Sequence, residues 1–345
     1  MSYFVPSAIV AGQAKFTENF QKGEWRLPDS VALNAAQKSL IANPSLGDIR
    51  TREDRTVYAY FPIRQAATTG TARAHNHTGS RGDSLSKTLS WSTFSEPFSI
   101  SIKQGDNNVF TFAEMYAASL NNAIYNLISR LDAWFVAALV ADKTQYNAGG
   151  GNGNFNSGTY NYEVPLAEAN YFFQNAEQMM AYNLFKGRLI GIVDSKAAIL
   201  SQRLQAQGSA NATNFGFQFG NVDVMGSTRT VLGTSTYAGS GVFYENGLVA
   251  IEPWIPKQNR KALDPQMALS YNGDYGQIAH PAMPGIMFAI HAYSQRADNS
   301  LYGGYTQDLT MEFEVSIDMA YQSAPLSTLR GSNDSVVYAV GQLPA

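Results

Sequence analysis

The sequence predicts an α+β fold, and three observations carry that expectation. A long run of three-four apolar spacing opens at a capping signal, Thr111-Phe112-Ala113-Glu114. A strand with strict alternation, MEFEVSIDMAY, lies near the C-terminus, and a buried apolar strand followed at once by helix-capping residues occurs at Leu189 to Ser195. With 345 residues and 45% hydrophobic content, the chain can build one large or two to three small lobes with a real core. Only 15% of residues are charged, below the roughly 25% usual for soluble proteins, which leaves much uncharged surface for contact and favours a subunit over a free monomer.

The formal net charge is −3, so the basic footprint of a sequence-reading nucleic-acid protein is missing. Absence of cysteine excludes disulfides, thiol catalysis and cysteine-based zinc sites. The start, MSYFVPSAIVAGQAKF, has no basic region before its short apolar run, and a cytosolic product without a membrane segment is expected.

Residues 1 to 50 read as an arm. Phe4, Ile9, Phe16, Phe20 and Trp25 are scattered anchors among polar residues, with one short helical stretch after Asp29-Ser30. From 56 to 103 the pattern alternates as in strands, with Val57, Ala59 and Phe61 on one side and Phe98, Ile100 and Ile102 returning. They bracket a polar tip, Gln65 to Lys87, whose few large apolar residues cannot offset an ordering cost of ~1 to 2 kcal/mol per residue, so a partner surface is needed to order it.

The helix that follows Thr111 should run to about Ala141, a rod of roughly 45 Å. Asn121, Asn122, Asn126, Ser129, Arg130 and Asp132 interrupt its hydrophobicity, which argues against a membrane span and leaves one buried stripe and one wet face. The glycine- and asparagine-rich stretch 147 to 161 reads as a linker at a lobe boundary. Beyond it, Pro165 suits the first turn of a helix carrying Leu166, Ala169, Phe173, Ala176, Met180 and Leu184, stopped by Gly187. Leu189 to Val193 is a buried strand, Asp194 or Ser195 caps a helix from Lys196 to Gln205, and short strands fill 215 to 285. In the last strand Met311, Phe313, Val315, Ile317 and Met319 face the core, Glu312, Glu314, Ser316 and Asp318 face away, and Met287 to Tyr293 is its expected partner.

This order of parts resembles the Hong Kong 97-type major capsid protein of tailed bacteriophages over nearly the whole chain. The resemblance implies a Hong Kong 97-like fold with an N-terminal arm at 1–56 and an extended β-hairpin (E-loop) at 57–103. It further implies a peripheral (P) domain at 104–164 and 286–345 with a spine helix at 112–142, and an axial (A) domain at 165–285. The implied function is structural and not enzymatic: self-assembly through pentamers and hexamers into an icosahedral virion shell around double-stranded DNA. The chain would be made in the host cytoplasm and reside in the virion, with scaffolding, portal and decoration proteins as further partners. No cofactor and no membrane are implied.

Residues 64 to 87 hold Arg64, Arg73, Arg81 and Lys87 against Asp83, a local excess of three positive charges, and these four cations are the expected intersubunit contacts of the E-loop. Contact with packaged DNA is expected to be without sequence preference, through scattered residues such as Arg130 and Lys143.

Sharper chemistry meets simpler explanations. His75 and His77 would share a strand face, but two ligands fall short of the three or four a zinc site needs. Arg81-Gly82-Asp83 spells an adhesion tripeptide composed of common turn residues. Glu312 and Glu314, ~6 to 7 Å apart on a strand, could be an acid and base; a solvated or intersubunit face accounts for them without a substrate subsite. The glycine run from Gly149 lacks the Lys-Ser/Thr of a phosphate loop. An encapsulin-like compartment with enzyme cargo shares the resemblance, and a β-rich carbohydrate-binding or hydrolytic protein is the alternative from another class, which the long amphipathic helix disfavours.

Overall fold

The computed structural model describes residues 4–42, 46, 49–53, 55–63, 83–101, 111–143, 151–200, 202, 221–227, 231–232, 236–283, 285–297, 308–324 and 336–344. The N-terminal segment differs from the expected arm. It forms two helices, α1 (Phe4–Gln21) and α2 (Val31–Ala42). In α1, Val5, Ile9, Gly12 and Phe16 recur at three-four spacing, and this narrow stripe is enough to dock the helix.

After α2 the chain enters a two-stranded hairpin, β1 (Tyr58–Ile63) with β2 (Asp83–Thr88), in antiparallel register from Tyr58↔Thr88 to Ile63↔Asp83. β3 (Ser90–Ser101) does not return along β1, as the sequence suggested for Phe98 to Ile102; it leaves the hairpin and pairs with the strand at 308–323. The hairpin is thus shorter than the 57–103 span, and Ile102 lies outside the described residues.

The long helix α3 (Phe112–Ala141) starts as expected. Thr111 Oγ1 accepts from the Glu114 N–H at 3.3 Å and Glu114 Oε2 accepts from the Thr111 N–H at 2.9 Å, so two amides lacking helical partners are satisfied reciprocally. Tyr116, Leu120, Ile124, Leu127, Leu131 and Phe135 form its buried stripe. By length and composition α3 could cross a membrane; its most apolar window is 50% buried inside the protein. Asp132 departs from the expected wet face. At 5% exposure it accepts from Ser30 Oγ at 2.8 Å and from the Ala32 N–H at 3.1 Å, while Ser30 Oγ accepts from the Leu33 N–H at 3.1 Å, which ties the start of α2 to α3.

The described part of the glycine-rich stretch is structured and not a free linker. β4 (Asn154–Asn156) pairs with β5 (Asn161–Val164); the Gly153 N–H donates to the Tyr162 hydroxyl at 2.6 Å and the Asn152 N–H to Asn175 Oδ1 at 2.7 Å. At Gly153 a Cβ would stand 2.4 Å from Tyr162 Cε1, so only glycine allows this approach. The segment after Pro165 opens as a 3-10 turn, Leu166–Tyr171, before α4 (Phe172–Tyr182). α4 stops earlier than Gly187 would stop it: the Asn183 side-chain amide bonds the Met179 carbonyl at 2.8 Å, Leu184 turns to φ 66°, and Phe185, not Leu184, is the buried residue.

β6 (Leu189–Val193) is buried throughout, and Asp194 Oδ1 accepts from the Ala197 N–H at 2.9 Å to cap α5 (195–200); of the expected continuation, 203–205 lie outside the described residues. Then follow β7 (Val222–Gly226), β8 (Gly239–Glu245), β9 (Val249–Trp254), β10 (Asp274–Ala279), β11 (Met287–Ala297), β12 (Asp308–Ser323) and β13 (Val337–Gln342).

These strands make two larger sheets. One has the order β10-β11-β12-β3, with β9 also on β12; the other has the order β4-β5-β13-β8-β6-β7. β12 and β11 pair as the sequence suggested, through Ala289↔Ser316 to Ala297↔Asp308. Since β3 spans Thr310 to Tyr321, β9 at Asp318 to Ser323 must follow β11 along the opposite edge. The lobe boundaries at 165 and 285 cut across this pattern. β9 and β10 lie between them yet join the first sheet, while β4, β5 and β13 lie outside yet build the second, because β13 fills the place between β5 and β8.

α3 lies across the inner face of the first sheet. Phe98 and Phe313 stack with centroids 5.0 Å apart, Tyr116 meets Phe313 edge-on at 4.9 Å, and Phe94 meets Trp134 at 5.4 Å. α1 packs on the start of α3, where Gly12 is required: a Cβ would lie 2.5 Å from Tyr116 Cδ1 and 2.9 Å from the Ala113 carbonyl. Lys15 Nζ reaches Glu114 Oε1 at 2.5 Å on the same contact.

Candidate contact surfaces

The hairpin has two unlike faces. Val57, Ala59 and Phe61 alternate inward, whereas Tyr58 and Tyr60 point out at 47% and 52% exposure, level with Thr88 and Ser86. Leu85 is also exposed, and Lys87 stands half-buried opposite Ala59. Tyrosine and serine together offer large, rigid contact area with adaptable hydroxyls. Of the tip, Arg64, Arg73, Arg81, His75 and His77 lie outside the described residues, as does the Asp83 side chain.

A polar cluster unnoticed in the sequence fixes the base of this hairpin. The Leu89 N–H donates to the Val57 carbonyl at 2.9 Å, and Trp91 Nε1 donates to the Arg55 carbonyl at 2.7 Å. Arg55 itself lies over the Trp254 ring at 4.8 Å and donates to Asp318 Oδ2 at 2.7 Å. Asp318, expected on a wet face, is 2% exposed; burial pushes its carboxyl up, against the opposing pull of Thr93 and Arg55. Its alternation with Glu312 and Glu314 makes the three look alike in sequence. Only the long-range partners separate them.

Glu312 and Glu314 stay on the outer face of the first sheet. Glu312 accepts from Gln295 Nε2 at 3.2 Å, and Glu314 faces His291 on one neighbouring strand and Pro97 on the other. Among the described residues no three His, Asp or Glu side chains are grouped to hold a metal ion.

The two cations expected to meet DNA are engaged within the chain. Arg130 Nη1 donates to the Ser95 carbonyl at 2.7 Å and to Glu96 Oε2 at 3.2 Å, fastening α3 to β3. Lys143 Nζ donates to Asn161 Oδ1 at 2.6 Å, and burial pushes its pKa down.

No protein-family model and no curated protein matches the chain. Among solved structures it is similar to one from Mycobacterium phage Che8, at 10% identity and TM-score 0.47, with 92% of each chain covered. It is also similar to the capsid structure of the cyanophage P-SCSP1u, at 11% identity and TM-score 0.40 over 84% of this chain and 83% of that one. The head structure of Helicobacter pylori bacteriophage KHP40 is similar at 11% identity and TM-score 0.39, over 83% and 84%.

Proposed function

We propose that this chain is the structural subunit of a Hong Kong 97-like icosahedral virion shell around double-stranded DNA. The observation that carries the reading is the hairpin of β1 and β2: its base is locked to β3, β9 and β12, while among the described residues its outer Tyr58 and Tyr60 are left about half exposed. A hairpin anchored at its base with an exposed aromatic face is suited to a heterologous contact, which closes into rings and shells when geometry permits. In this reading the hairpin is the E-loop, Arg64, Arg73, Arg81 and Lys87 bind an acidic surface on a neighbour, and α3 is the spine helix of the peripheral domain. Of the six-stranded sheet, β6, β7 and β8 fall in the axial domain at 165–285.

DNA is contained and not read. Arg130 and Lys143 would touch its backbone only by exchanging their present partners, so any affinity should be weak, salt-dependent and without sequence preference. Negative-stain microscopy and sedimentation of the purified chain test the reading. Closed shells are the expected result; a stable 37.6 kDa monomer at every salt and protein concentration overturns it.

A further inference from the structure

Where β9 ends, a small cavity of about 130 Å³ is walled by Trp254, Ile255, Met287 and Arg260. It adjoins an open depression of about 760 Å³ that shares Trp254 and Arg260 and carries Lys257, Lys261 and Glu53. The inner cavity is smaller than the ~300 to 1,000 Å³ of ordinary small-molecule sites. It has room for about one amino-acid side chain.

The charge of the depression is one-sided, with three cations against one carboxylate, in a chain whose net charge is −3. Glu53 is taken by Lys257, and Asp274 holds Lys261 at 2.6 Å. Arg260 donates to the backbone carbonyls of Ile255 and Arg52 and lies 5.6 Å from the Trp254 centroid; among the described residues it has no direct ion pair, and Glu53, bound to Lys257, acts on it only at longer range. A guanidinium held in place by carbonyls, with charge to spare, is a ready receiver for a carboxylate.

Stacked nucleic-acid bases fit the place poorly. Trp254 is 6% exposed with Arg55 and Arg260 against its ring, and His291 stacks on one face of Tyr275 at 4.2 Å, which leaves no pair of free aromatic faces for successive bases among these two rings. We propose that this cleft is a docking site for an acidic, extended peptide segment of a partner protein, which places one apolar side chain in the cavity and its carboxylates beside Arg260 and Lys261.

The probe is a labelled, blocked pentapeptide, Glu-Asp-Leu-Asp-Glu, titrated into the full-length protein with fluorescence anisotropy as readout. Saturable binding that weakens with salt is expected. Replacing the central Leu by Ser should weaken it at least about fivefold, and a Lys-Lys-Leu-Lys-Lys peptide should not bind. Arg260→Gln should lose about tenfold in affinity, whereas Arg260→Lys should retain most of it. Because Arg260 also holds the Arg52 carbonyl, Lys257→Gln, whose partner Glu53 is itself exposed, serves as a second variant whose fold is not at stake, and it is expected to lose about threefold. Absence of binding by the acidic peptide overturns the proposal. So does equal affinity for the Ser peptide, or preferential binding of an oligothymidylate. All three readouts are independent of whether shells form.

Discussion

Asp132 sits on the buried stripe of α3 because one of its oxygens serves two donors at the start of α2, the Ser30 hydroxyl and the Ala32 amide. Asp132→Ala would strip both of a charged acceptor, and a loss of about 2 to 3 kcal/mol is expected from urea denaturation. Spacing from Ile128 and Phe135 puts Asp132 on the buried stripe while its charge argues for the wet face; the partner that decides between them, Ser30, is 102 residues away, and no local pattern announces it. His280 is also buried, with its partners close in sequence. Its Nδ1 accepts from the Ala282 and Met283 amides at 3.2 and 3.0 Å, which requires a neutral ring, and burial pushes its pKa down to about 4. A histidine lowered from 6.5 stabilises the fold fully above pH 6.5, and that contribution is lost as the pH falls towards 4, by up to about 3 kcal/mol. Denaturation midpoints at pH 7 and 4.5 should therefore differ less in His280→Asn, whose carbonyl oxygen can take the same two amides without titrating.

Among the elements, α3 and β12 were legible because each repeats its period over many residues with one complete buried face. α1 was not. Its stripe is one residue wide, includes a glycine, and reads as scattered anchors until Tyr116 is seen filling the space that Gly12 leaves. Gly12→Leu should force α1 off α3 and lower stability by about 1 to 3 kcal/mol. Limited proteolysis should then release residues 1 to 21 faster, while the helical signal of α3 persists. The end of α4 was misplaced for a related reason: Gly187 is the residue that usually stops a helix, but Asn183 and Leu184 supply the stop, and a non-glycine residue at φ 66° leaves no sequence signature.

Across the molecule, the hairpin separates folding from association. Residues 68 to 82 lie outside the described residues and carry no large apolar side chain, so on their removal circular dichroism should be unchanged and sedimentation should show a failure to form shells. Normal shells from that deletion would deny the hairpin its role, and loss of helical signal would place the tip in the subunit's own core. The division into sheets was the least legible feature, since strand pairing between 161–164 and 337–342 is set by contacts no local pattern carries. That pairing has a consequence in time. β13 lies between β5 and β8, so the second sheet remains split, with a vacant slot in its middle, until residue 342 has left the ribosome. At ~5 to 20 residues per second the interval between the synthesis of β8 and of β13 lasts several seconds to some twenty. During it the nascent chain can fold its first helices but cannot complete the lobe that contains β13.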